Sequence, residues 1–88
     1  MELVGTSVIV TGGASGLGEA SAREFIARGA NVTIFDRNAD AAAVVASELG
    51  CMSQVCDVTN SDGVNAALDA VTANFGVPRV AVIAAGIA

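Results

Sequence analysis

Val10-Thr11-Gly12-Gly13-Ala14-Ser15-Gly16-Leu17-Gly18 follows an apolar run and precedes a helical pattern. A strand that turns sharply into a helix N-terminus presents backbone N–H groups and the positive end of the helix dipole, where a phosphate can sit. The spacing is Gly12-x-x-x-Gly16-x-Gly18, which differs from the common G-x-G-x-x-G fingerprint but meets the same physical demands. Gly12 can take backbone angles that a Cβ forbids. Gly16 lets the main chain approach a pyrophosphate, and Gly18 lets the helix pack close to the strand. Taken alone, the same residues also read as a glycine-rich turn between two core elements.

Working outward, Asn31 to Phe35 is a short β-branched and aromatic run that suits a strand, and Asp36 stands at its C-terminal end, 18 residues beyond Gly18. A dinucleotide-binding fold needs an acid near that distance to accept hydrogen bonds from the adenosine ribose hydroxyls. A carboxylate there also repels a 2′-phosphate, so Asp36 favours NAD over NADP. Arg37 is a counter-signal, because a guanidinium can pair with that phosphate. The alternative for Asp36-Arg37-Asn38 is a solvated loop with a helix N-cap at Asn38.

The rest of the chain alternates strand and helix. Strands are expected at Ser7–Thr11, Asn31–Asp36, Ser53–Cys56 and Val80–Ala85. Helices are expected at Leu17–Arg28, Ala39–Leu49 and about Ser61–Phe75, with Gly29, Gly50 and Gly76 as their stops. In the last helix Val64, Leu68, Val71 and Phe75 recur at i, i+4, i+7 and i+11, one apolar stripe that reads as a core face. Phe25 and Ile26 are expected to point inward from the first helix. Three β-α units in series imply right-handed crossovers and a Rossmann-type α/β fold. Its partial parallel sheet has four strands in the order 3-2-1-4, with helices on both faces. Ligands bind outside the carboxyl ends of such strands. The glycine turn, Asp36, Asp57 and Gly86 each follow one strand, so all four fall on one edge of the sheet.

At these residues the chain resembles the short-chain dehydrogenase/reductases. The resemblance rests on Thr11-Gly12-Gly13-Ala14-Ser15-Gly16-Leu17-Gly18, Asp36, Asp57-Val58-Thr59 and the closing Ala84-Ala85-Gly86-Ile87. It runs along essentially the whole chain in order and spacing. The members nearest in flavour are the type 2 3-hydroxyacyl-CoA dehydrogenases, which share the glycine string. The resemblance implies an NAD cofactor. Gly12, Ser15, Gly16, Leu17 and Gly18 would lie along its ribose-pyrophosphate segment. Asp36 would bind the adenosine ribose, Asp57 the adenine amino group, and Val58 would supply a backbone contact. Ala84 and Gly86 would line the floor beneath the second ribose. Without the resemblance, Asp57-Val58-Thr59 also reads as a strand end followed by a helix cap. Ile83 and Ala84 stand where the family carries Asn, and Arg79, after Pro78, stands where members often carry Asp.

The family's chemistry resembles a Ser-Tyr-Lys machine, and this chain contains no Tyr and no His; its four basic residues are all Arg. No residue here can carry that proton transfer near neutral pH in the family's way. The chain therefore reads as the N-terminal, cofactor-binding part (residues 1–88) of a longer oxidoreductase acting on a secondary alcohol or ketone, with a 3-hydroxyacyl thioester as one substrate class. No catalytic residue and no metal ligand is assigned within it. A nucleotide-binding module without catalysis is the main alternative, and a methyltransferase using adenosyl-methionine on the same fold is a third.

Composition agrees. With 53 % hydrophobic and 15 % charged residues, the chain is too apolar for disorder and suits a sheet covered on both faces. The net charge of −5 argues against a nucleic-acid or anionic-membrane surface. No apolar run reaches the roughly 20 residues of a membrane span, and Met1-Glu2-Leu3 lacks the basic start of a secretory signal. Cys51 and Cys56 are too few for a disulfide framework and have no His beside them. They read as reduced thiols of a cytoplasmic protein, with a redox pair as the alternative. The longer enzyme is expected to be a homo-oligomer.

Overall fold

The computed structural model describes residues 3–12, 16–57 and 59–83. Its elements are β1 (Ser7–Thr11), α1 (Gly16–Ala27), β2 (Asn31–Asp36), α2 (Ala39–Leu49), β3 (Met52–Val55), α3 (Ser61–Phe75) and β4 (Val80–Ile83). The four strands are parallel and ordered β3-β2-β1-β4, as the right-handed crossover rule requires. Val8 pairs with Val32 and Val80, and Thr33 pairs with Met52, so the register runs unbroken across the sheet.

Alternation along the strands sends side chains to two different helical layers. Val8, Val10 and Val32 pack under Ala22, Phe25 and Ile26 of α1, and Ile34 packs under Ala42, Val45 and Ala46 of α2. Ile9 and Phe35 point the other way, against Ala67 and Val71 of α3. Covering both faces explains why every residue of β1 is buried. Burying each such Val or Ile side chain is worth roughly 1.5–3 kcal/mol. The flanking strands differ, for no residue of β3 or β4 is fully buried.

The apolar stripe on α3 holds at three of its four positions: Val71 is fully buried, with Val64 and Leu68 packed against the same cluster, whereas Phe75 is half-buried and outside it. Both α2 and α3 begin and end where sequence reading places them, because each is capped twice. Asn38 accepts a hydrogen bond from the Ala41 N–H through its side chain, and Asn60 does the same for Gly63. At the far ends stand Gly50, in the left-handed region at φ 70°, and Gly76.

Four boundaries move, two in the first helix and two in the third strand. The first helix starts at Gly16 rather than Leu17 and ends at Ala27 rather than Arg28. The Arg28 N–H is shared between the Glu24 and Phe25 carbonyls, a tightened last turn that leads into Gly29. The third strand is Met52–Val55 rather than Ser53–Cys56, because Met52 is the residue in register with Thr33. Cys56 still donates its N–H to the Asp36 carbonyl at 2.9 Å, just beyond the strand. The fourth strand is described to Ile83; the expected extension over Ala84 and Ala85 lies outside the described residues.

Among the described residues no helix is long and apolar enough to cross a membrane. Cys51 packs with the α1 and α2 clusters and Cys56 with the α3 cluster, on opposite faces of the sheet. Both are free thiols, and burial pushes both to a higher pKa than an ordinary cysteine. The geometry therefore overturns the redox-pair alternative.

Candidate dinucleotide site at the carboxyl edge of the sheet

Topology brings the candidate residues together. Gly12 follows β1, Asp36 ends β2 and Asp57 follows β3 by two residues, so all three stand at the carboxyl ends of neighbouring strands. The first turn of α1, with Gly16, Leu17 and Gly18, opens at the same edge. Ser15, Val58, Ala84 and Gly86 lie outside the described residues.

Gly12 has φ 70°, the left-handed conformation that a Cβ disfavours, which is what the tight strand-to-helix turn demands. Its N–H donates to the Phe35 carbonyl at 2.7 Å, so this amide closes the β1–β2 ladder. That amide is thus committed to the ladder, and the next described backbone N–H groups of the turn stand at the start of α1. Gly16 has no positive φ, and among the described residues nothing lies within 4 Å of a Cβ built on it. Gly18 is buried, as close packing of helix on sheet requires, whereas Leu17 is 62 % exposed at the mouth of the turn. Glu19 is the one acid in the first turn of α1, and Arg23 holds it through two hydrogen bonds of 2.9 and 3.0 Å. That i,i+4 pair offsets a negative charge where the helix dipole would attract an anion.

Asp36 is half-buried, and its Oδ1 accepts the Asn38 N–H at 3.0 Å. Asn38 in turn caps α2. The helix cap read at Asn38 is therefore present, and the Asp36 carboxylate stands beside it at the end of β2.

Asp57 is an exposed carboxylate in a built turn. Its Oδ1 accepts the Thr59 hydroxyl at 2.7 Å and the Thr59 N–H at 2.9 Å. These two donors, with a smaller contribution from the Arg37 guanidinium, hold its pKa below the usual aspartate value. Asp57 is therefore anionic at neutral pH and suited to accept a hydrogen bond from an amino group. Sequence reading did not anticipate the part played by Thr59, although a string of capping residues, Asp57 to Asp62 with one Val, carries the signal.

A feature that sequence reading missed lies beside the edge. Thr11, Phe35, Val64, Leu68 and Ile83 border an apolar groove of about 250 Å³ between α3 and the β1–β4 half of the sheet. Ile83 is 71 % exposed there. Among the described residues no group of three or more His, Cys, Asp or Glu side chains is placed to hold a metal ion.

A doubly wound parallel sheet with a glycine turn and two strand-end acids on one edge defines a Rossmann-type nucleotide fold. Residues 6–88 match the family described as short chain dehydrogenase. The chain belongs to that short-chain dehydrogenase/reductase family. It is 40 % identical over 91 residues to the D-threitol dehydrogenase of Mycolicibacterium smegmatis, covering 98 % of this chain and 35 % of the relative. A short-chain type dehydrogenase/reductase from Mycobacterium ulcerans superposes with a TM-score of 0.91 at 35 % identity, covering 98 % of this chain and 34 % of the other. A 3-ketoacyl-(acyl-carrier-protein) reductase from Brucella melitensis, solved with NADH, superposes with a TM-score of 0.86 at 34 % identity, covering 90 % and 34 %. The chain thus spans about a third of the length of these relatives. No finding singles out the type 2 3-hydroxyacyl-CoA dehydrogenases among the family's members.

Proposed function

We propose that this chain is the NAD-binding portion of a short-chain oxidoreductase that interconverts a secondary alcohol and a ketone. The observation that carries this reading is Asp36 at the carboxyl end of β2, one strand over from the glycine turn and the start of α1. There its carboxylate would accept hydrogen bonds from the adenosine ribose and repel a 2′-phosphate. The amides at Gly16 and Leu17, with Ser15, would hold the pyrophosphate, and Gly12 and Gly18 would shape the turn. Asp57 and Val58 would face the adenine, and Ala84 and Gly86 would lie under the second ribose. The nicotinamide dinucleotide would exchange a hydride with the substrate; this chain's residues would bind and orient it. The relative bound to NADH supports the choice of cofactor class.

With no Tyr, Lys or His among its 88 residues, the chain does not supply the proton-transfer groups of the family's usual machinery. Residues 1–88 would then form the N-terminal part of the dinucleotide-binding domain of a longer enzyme, cytoplasmic and homo-oligomeric, with a 3-hydroxyacyl thioester among its candidate substrates. The same absence favours a second reading, a nucleotide-binding module without catalysis. The test is to compare oxidation of secondary alcohols by the intact gene product with NAD and with NADP. Turnover with NAD is expected. Dinucleotide binding without turnover supports the module, and binding of adenosyl-methionine in place of NAD overturns both.

A further inference from the structure

We draw no further inference here: the strongest candidate, the apolar groove between α3 and the β1–β4 half of the sheet with the exposed Ile83 on its border, carries nothing because nothing in the structure shows what covers it.

Discussion

Thr33→Val should stabilise the fold, although it removes a polar group from a strand. Thr33 is fully buried in β2, and among the described residues its hydroxyl oxygen has no hydrogen-bond partner. Leaving a buried hydroxyl unsatisfied costs about 1–3 kcal/mol, and valine keeps the β-branched shape that a strand favours. A gain of about 1–2 kcal/mol is expected. At roughly 4–8 °C per kcal/mol for a domain of this size, Tm should rise by about 4–16 °C. Thr11→Val is the matched control. Thr11 is 8 % exposed, and its hydroxyl donates to the Val82 carbonyl at 3.3 Å, tying β1 to β4. Losing that bond should cost about 0.5–1.5 kcal/mol. The same substitution thus has opposite signs at two positions one strand apart. The chain has no Trp or Tyr, so thermal unfolding is best followed by far-ultraviolet circular dichroism at micromolar concentration. Equal destabilisation by both variants would refute the reasoning, because it would mean that the Thr33 hydroxyl has a partner in solution.

Three further predictions address the site and the sheet edge. Gly16→Val should abolish dinucleotide binding while leaving the dichroism spectrum unchanged, since none of the described residues comes within 4 Å of the new Cβ; binding equal to the parent's would reduce the glycines to a turn. Thr59→Val removes the strongest donor to Asp57 and should raise that carboxyl's pKa toward the ordinary 3.8 in a carbon-13 titration. Because the folded pKa is depressed, the stabilising contribution of Asp57 is present above the ordinary value and lost as pH falls through the folded one, so parent and variant should differ least in strong acid; an unmoved pKa rules out Thr59 as the cause. Residues 1–88 expressed alone should show no dehydrogenase turnover and should self-associate, because β4 is an edge strand with Ile83 71 % exposed. Ile83→Lys should then shift sedimentation toward monomer. A monomeric parent chain contradicts the edge argument, and measurable turnover contradicts the assignment of proton transfer to residues outside it.

How far the sequence could be read follows from where local and long-range signals agree. The helices α2 and α3 are legible to the residue because side-chain caps and glycine stops bracket them. The strand order is legible because three β-α units admit few right-handed arrangements. That order alone puts Gly12, Asp36 and Asp57 on one edge. At β3, Met52-Ser53-Gln54-Val55-Cys56 has no clean alternation, and the strand is only partly covered, so its register is set by pairing with β2. That the hydroxyls of Ser7 and Thr33 have no partner among the described residues is not legible either, since whether a buried hydroxyl finds one depends on distances across the layer. Nor was the groove beside Ile83, whose shape depends on how far α3 reaches over β1 and β4.

We propose that the carboxyl edge of the sheet is a dinucleotide site at which Asp36 selects against a 2′-phosphate. Saturation-transfer NMR on the chain with NADH, NADPH and an equal mixture tests it most directly. Transfer to the adenine and adenosine ribose protons of NADH and displacement of NADPH from the mixture are expected. Asp36→Ser should shift the preference toward NADPH by about 1–3 kcal/mol, roughly 5- to 150-fold. Equal or tighter binding of NADPH by the parent chain would rule out selection by Asp36 and make Arg37 the residue that selects the cofactor.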